Sequence, residues 1–109
     1  MDKLSATFEA LSDPTRRAIL ARLARGEATV GELQRPLGIS QPAVSRHLKL
    51  LEQAGLIEQS RAAQARPRRL RPKGLDPARQ WIDGLRDLWS DSFDRLESFL
   101  TDIDGGHAR

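Results

Sequence analysis

Two segments with complete helix signals are separated by only two residues, the first of which is Gly38. The earlier segment opens with Thr29 and Glu32, which form a Thr-x-x-Glu capping box, and it ends at Gly38. Ser40 caps the later segment, which runs to Gly55. Helices joined by so short a connection must meet at a steep angle, so the sequence predicts a helix-turn-helix.

The later helix is amphipathic. Val44, Leu48 and Leu51 fall on one side at helical spacing, and polar residues fall on the other. Its first two turns carry no acid, as a helix that enters a DNA major groove requires. Glutamine suits adenine, arginine suits guanine, and serine accepts either base. The predicted DNA contacts of this helix are Ser40, Gln41, Pro42, Ser45, Arg46 and Lys49. An ordinary solvated face has the same pattern, so the neighbouring segments must decide between the two interpretations.

A basic hairpin is predicted directly after this helix. Residues 56–60 and 67–72 resemble two short strands joined by an exposed tip, and the prolines near both ends of the second are typical of an edge strand. Residues 56–73 carry six cations and one acid, a net charge of +5. Such a hairpin is a wing, whose arginines contact phosphates or enter the minor groove. The predicted wing contacts are Arg61, Arg66, Arg68 and Arg69, against the alternative of a merely solvated arginine cluster.

Two further helices precede this region and one follows it. Residues 1–12 have apolar side chains at helical spacing, and Asp13-Pro14 supplies the start of the second helix. The final helix begins in the same way at Asp76-Pro77 and extends to about Ile103. The predicted fold is mainly α with a small β-hairpin. It is a winged helix-turn-helix of about five helices, with a two-stranded wing between helices four and five.

Length and composition bound the number of domains and the class of protein. With 109 residues, the chain is expected to form one domain over residues 1–104, with a DNA-binding core at 13–73 and a disordered tail at 105–109. The absence of cysteine excludes disulfides and thiolate metal sites. No apolar run approaches a membrane span and no signal peptide opens the chain, so we expect a soluble, cytoplasmic protein without a membrane partner.

The final helix carries more apolar surface than a domain of this size can cover. It holds both tryptophans and two of the three phenylalanines, along a stripe of roughly 40 Å at about 1.5 Å per residue. The excess predicts a two-fold dimer in which residues 1–12 and 76–103 pack against their mates. Residues 75–104 carry three cations and eight acids, so this part is kept away from a polyanion. The predicted interface residues are Leu4, Phe8, Trp81, Leu85, Leu88, Trp89, Phe93, Leu96 and Leu100.

No catalytic site is predicted, and the chain is not expected to be an enzyme. Ser45 and His47 lie two residues apart on one helix, so they point to different faces and cannot act as nucleophile and base within it. The glycines fall mainly at helix ends and near the C-terminus, and none belongs to a phosphate-binding loop.

Three segments together closely resemble the ArsR/SmtB family of winged-helix repressors. Residues 8–17 are Phe-Glu-Ala-Leu-Ser-Asp-Pro-Thr-Arg-Arg, residues 40–48 are Ser-Gln-Pro-Ala-Val-Ser-Arg-His-Leu, and residues 51–57 are Leu-Glu-Gln-Ala-Gly-Leu-Ile. The similarity covers roughly residues 4–100. It implies a homodimer that binds an imperfect palindrome, an inverted-repeat operator, in its own promoter region and blocks transcription. It also implies that the DNA contacts are carried by the wing arginines together with Ser40, Gln41, Ser45 and Arg46.

The ligands of the family's metal-sensing members are absent from this chain. Those members place cysteines around what is here Val30 to Leu33, or an Asp-x-His pattern where this chain has Asp91-Ser92-Phe93-Asp94. Thiolate and imidazole are the ligands that transition metals prefer, so neither a metal nor another cofactor is predicted. His47 is expected to pack locally instead of binding a metal. An unidentified small organic molecule, a partner protein or no effector at all would fit this pattern.

Two other functions are compatible with the sequence. One is a metal-responsive repressor that uses Asp91, Asp94 and His107 as ligands. The other is a protein-interaction module whose last helix recruits another helix, with DNA contact secondary.

Overall fold

The structure, a computed structural model, describes residues 1–61 and 64–108, and side chains as far as Ile103. In chain order the elements are α1 (Lys3–Leu11), α2 (Pro14–Leu23), α3 (Val30–Leu37), α4 (Gln41–Gln53), β1 (Ile57–Gln59), β2 (Arg68–Leu70) and α5 (Asp76–Ala108). The predicted fold class is confirmed, with α3 and α4 as the helix-turn-helix and an antiparallel hairpin between α4 and α5. The chain forms two compact units, Met1–Ala78 and Arg79–Arg109.

The turn between α3 and α4 is fixed by hydrogen bonds at both of its ends. Thr29 and Glu32 form the predicted capping box at the start of α3. Gly38 ends α3 with a left-handed backbone (φ 64°), and its N–H donates to the carbonyl of Gln34 at 3.1 Å. The hydroxyl of Ser40 then accepts the N–H of Ala43 at 3.3 Å, which starts α4.

A single apolar core lies in the first unit. Its largest fully buried apolar side chains come from α2, α3, α4 and β1, and they are Ile19, Leu33, Val44, Leu48, Leu51 and Ile57. Burial of a side chain of this size stabilises the fold by roughly 1.5 to 3 kcal/mol. Because α4 contributes three of the six, its orientation is set by the same contacts that hold the unit together.

Strand β2 makes backbone hydrogen bonds on both of its sides. Gln59 pairs with Arg68 and Ile57 with Leu70 in the antiparallel register. Arg68 also forms a bridge with Ala28, with N–H to carbonyl distances of 2.8 and 3.0 Å. In this two-stranded sheet β2 is an edge strand, as predicted, and the residue before the α3 cap adds one isolated bridge at Arg68. Pro67, which has no N–H, takes part through its carbonyl, which accepts the N–H of Ser60 at 2.7 Å.

Helix α5 is longer than predicted. It continues to Ala108, so the segment 105–108, predicted as a disordered tail, has a helical backbone, and Arg109 lies outside the described residues. A glycine in a helix costs about 1 kcal/mol relative to alanine but still makes the backbone hydrogen bonds, so Gly105 and Gly106 do not by themselves end the helix. Within the described chain, no helix is both long and apolar enough to cross a membrane.

Arg16 is a buried arginine that joins three helices. Its Nε donates to the carbonyl of Ala10 at 2.8 Å and its Nη2 to that of Glu9 at 2.9 Å. The guanidinium thus caps the last turn of α1, where carbonyls lack partners within the helix. Its Nη1 lies 3.4 Å from Nδ1 of His47 in α4. Arg16 therefore holds α1 and α4 against α2, and only 8% of its surface is exposed.

Asp13, the cap of α2, is expected to make stability depend on pH. Its pKa is lowered, first because its carboxylate accepts the N–H of Arg16 at 2.9 Å, and also because the charge of Arg16 is close. The stabilisation is therefore complete above the unfolded pKa of about 3.9 and is lost as pH falls through the lower folded pKa. Asp13→Asn keeps the cap but does not titrate. We expect its free energy of unfolding, measured by denaturant titration, to fall less between pH 5 and strong acid than that of the wild type. Equal pH dependence would contradict this role.

Candidate nucleic-acid interface

Helix α4 presents the predicted polar face to solvent. Its 13 residues span roughly 20 Å at about 1.5 Å per residue, a length that fits within a major groove. The buried side is Val44, Leu48 and Leu51, as predicted. The predicted contact residues of this helix are all exposed, and they are Ser40, Gln41, Pro42, Ser45, Arg46 and Lys49. Gln41 and Ser45 are one turn apart, which places their side chains within reach of neighbouring base pairs.

His47 sits at the edge of the buried side of α4. Its Nδ1 lies 3.4 Å from Nη1 of Arg16 and 3.9 Å from Oδ2 of Asp13. The prediction that His47 packs locally agrees with these contacts. The histidine helps to hold α4 against α2, while the opposite side of the helix stays exposed.

Three of the four predicted wing arginines are exposed. Arg61, Arg66 and Arg69, with Glu58 and Gln59, line an open polar depression on the wing. Arg69 lies 3.7 Å from the carboxylate of Glu58, and both side chains remain about half exposed. Such an exposed pair is weak, so Arg69 can exchange this partner for a phosphate.

Arg68, the fourth wing arginine, points towards α4. Its Nε donates to Oε1 of Glu52 at 3.0 Å, and its side chain is only 16% exposed. Its Nη1 donates to the carbonyl of Arg66 at 2.8 Å. Side chains alternate along a strand, so Arg68 shares its face with Leu70, which packs on the core, and not with Arg69. That alternation is a sequence signal by which Arg68 could have been distinguished from Arg69.

The second unit has no buried side chain between Arg79 and Ile103, the part of it whose side chains are described. Of the predicted interface residues in α5, Leu85 is half-buried and the others are exposed by half or more, as in Leu88 (68%) and Leu96 (52%). The two predicted interface residues of α1 belong to the first unit, where Leu4 is half-buried and Phe8 is 36% exposed.

The net charge of the wing is opposite to that of α5. Residues 56–73 have a net charge of +5, and residues 75–104 have a net charge of −5. The positive charge is thus concentrated on the wing, where Arg61, Arg66 and Arg69 are exposed. Among the described residues, no three histidine or acidic side chains form a group that could hold a metal ion.

Several known proteins are similar to this chain in sequence and in fold. Residues 11–60 match a helix-turn-helix domain family. The HTH-type transcriptional regulator Rv2034 of Mycobacterium tuberculosis is 49% identical over 76 residues, which cover 70% of this chain and 71% of that protein. The transcriptional repressor SdpR of Bacillus subtilis is 43% identical over 61 residues, which cover 56% of this chain and 68% of SdpR.

A solved structure extends the similarity to the fold. The crystal structure of the ArsR family transcriptional regulator RHA00566 shares 35% sequence identity with this chain at a TM-score of 0.72. The match covers 82% of this chain and 98% of that one. From these similarities and the helix-turn-helix, the chain belongs to the ArsR family of transcriptional regulators, which are DNA-binding proteins and not enzymes.

Proposed function

We propose that this chain is a transcriptional repressor that binds an inverted-repeat operator as a homodimer and does not respond to metals. The observation that carries the proposal is the exposed face of α4, where polar and basic side chains lie opposite the buried Val44, Leu48 and Leu51. Arginine and glutamine on such a face can make paired hydrogen bonds to guanine and adenine edges in the major groove.

The exposed arginines of the wing support contact with the DNA backbone. Arg61, Arg66 and Arg69 lie in a segment of net charge +5 that follows α4 directly. Arginines in such a position neutralise phosphates beside the groove that α4 occupies, and they bind without regard to sequence. The wing therefore supplies affinity, and the recognition helix α4 supplies specificity.

The exposed apolar face of α5 supports a homodimer. Ile82, Trp89, Leu96 and Ile103 recur every seven residues, and all are about half exposed. A seven-residue apolar repeat is the pattern by which two helices pack side by side. A two-fold axis through this face would repeat α4 and the wing symmetrically, which requires an operator with two inverted half-sites.

Repression is the activity that the relatives suggest. SdpR is a transcriptional repressor, and it is 43% identical to this chain over the aligned region. A dimer bound to promoter DNA occupies duplex that RNA polymerase needs, so binding alone is sufficient for repression.

The side chains available as metal ligands support the proposal that the chain does not respond to metals. The chain has no cysteine, and the carboxylate of Asp91 is already hydrogen-bonded to Arg95. His107, the third ligand of the metal-responsive alternative, has a side chain outside the described residues. We expect calorimetric titration with zinc to detect no site of micromolar or tighter affinity, and zinc to leave DNA affinity unchanged. Tight zinc binding that releases DNA would contradict metal independence.

Fluorescence anisotropy of labelled duplexes tests the proposed function. We expect the protein to bind a fragment from upstream of its own gene more tightly than a scrambled duplex of equal length. The logarithm of the binding constant should fall linearly with the logarithm of salt concentration between about 50 and 200 mM, because phosphate contacts release counterions. Equal affinity for both duplexes, or no binding at low salt, would contradict the proposal.

A further inference from the structure

Glu52 and Arg68 connect the end of the recognition helix to the wing. Glu52 lies in the last turn of α4, and its Oε1 accepts the Nε–H of Arg68 at 3.0 Å. The amide of Gln59, across the hairpin from Arg68, lies 3.5 Å from the same oxygen. The side chains of Glu52 and Arg68 are 27% and 16% exposed, so water competes less for this pair than for a surface pair.

The backbone of Arg68 also links the hairpin to the segment before α3. Its backbone pairs with Gln59 on one side and with Ala28 on the other. Its guanidinium Nη1 donates to the carbonyl of Arg66 at 2.8 Å. Arg66 has a left-handed backbone (φ 46°), which is unfavourable for a residue with a Cβ and persists only where other contacts hold it.

We propose that the Glu52–Arg68 pair is a positioning device that fixes the wing relative to the recognition helix. Arg68 does not bind DNA itself. Through Glu52 and the carbonyl of Arg66, it sets where Arg61 and Arg66 meet the phosphate backbone. This inference rests on the proposed function and names the residues that align its two DNA-contacting parts.

The neighbouring pair, Glu58 and Arg69, provides a matched comparison. It also joins one acid to one wing arginine, but at 3.7 Å and with side chains that are 42% and 53% exposed. A pair of this kind holds no fixed geometry. Removal of Glu52 and removal of Glu58 therefore change the net charge equally but affect the wing differently.

Removal of Glu52 distinguishes positioning from simple electrostatics by the sign of its effect. Loss of a carboxylate near DNA should tighten binding if only charge matters. If Glu52 positions the wing, Glu52→Ala should weaken binding by about 10-fold, the scale of one or two lost phosphate contacts. Glu52→Gln retains an acceptor for Arg68, so its affinity should return to that of the wild type or exceed it. Glu58→Ala should bind as tightly as the wild type or more tightly.

The measurement is anisotropy on the full chain with the upstream and scrambled duplexes, after circular dichroism has shown that each variant is folded. If Glu52→Ala does not fold, Arg68→Lys replaces it, because it preserves the charge while lysine cannot bridge two acceptors as arginine does. Arg68→Lys should then weaken binding although the net charge is unchanged.

If Glu52→Ala binds as tightly as the wild type or more tightly, or if Arg68→Lys binds as tightly as the wild type, the positioning role is overturned. Failure of the wild type to bind either duplex would instead refute the proposed function.

Discussion

Leu96→Glu is expected to dissociate the proposed dimer and, with it, to abolish tight binding to the proposed operator. Leu96 lies in the middle of the apolar face of α5 and is 52% exposed in the single chain. Because about half of the side chain is already covered in the single chain, loss of its burial in both subunits costs about 1.5 to 3 kcal/mol, which raises the dimer dissociation constant at least about 10-fold. The two introduced carboxylates would also face an apolar surface, which adds a desolvation cost.

Operator affinity should fall when dimerisation is lost, because two separate monomers then bind the two half-sites independently. A linked second half-site contributes an effective concentration that a monomer does not have, so we expect a loss on the order of 100-fold. Sedimentation equilibrium measures the association state, and anisotropy on the operator measures affinity. Ser98→Glu is the control, since Ser98 lies two residues further along α5 on its polar side and is also exposed. A Leu96→Glu variant that remains dimeric would contradict the assignment of this face.

Arg46→Ala is expected to reduce sharply the discrimination between the operator and scrambled DNA. Arg46 is exposed on α4 and can donate two hydrogen bonds to one guanine. Loss of such a contact costs roughly 1 to 3 kcal/mol on the operator, which corresponds to about a 5- to 150-fold loss of affinity. On scrambled DNA, only the loss of one positive charge should remain.

Lys49→Ala is the matched control for Arg46→Ala. It also removes one cation from the exposed face of α4, about one turn further along. We expect Lys49 to contact a phosphate, and such a contact contributes equally on any sequence, so Lys49→Ala should weaken the operator and the scrambled duplex by the same factor. Equal losses on the two duplexes for Arg46→Ala, measured by anisotropy, would refute the base contact.

The elements and the turn that orients the recognition helix could be predicted because their signals are local. The capping box of Thr29 and Glu32, the left-handed Gly38 and the cap at Ser40 lie within 12 consecutive residues and agree with one another. The alternation of apolar and polar residues in α4 likewise identified its buried and exposed sides. Local hydrogen bonds and helical periodicity were sufficient for these parts.

The parts that were missed depend on contacts between residues far apart in the chain. Ala28 pairs with Arg68, 40 residues later, and no local pattern around either residue indicates that bridge. An arginine in a helix is usually expected to be solvent-exposed. The guanidinium of Arg16 is instead buried, where it donates to a carbonyl of α1 and lies beside His47. The pairing of Arg68 with Glu52 was not predicted either, because a count of cations does not show which side of a strand each one occupies.

Selection from a pool of random duplexes by the purified full chain tests the central claim most directly. If two recognition helices of a symmetric dimer contact base edges, the enriched sequences should contain two inverted half-sites. Their centres should lie about one helical turn apart, or a multiple of it. Enrichment of no sequence, or of a single half-site without an inverted copy, would contradict the account.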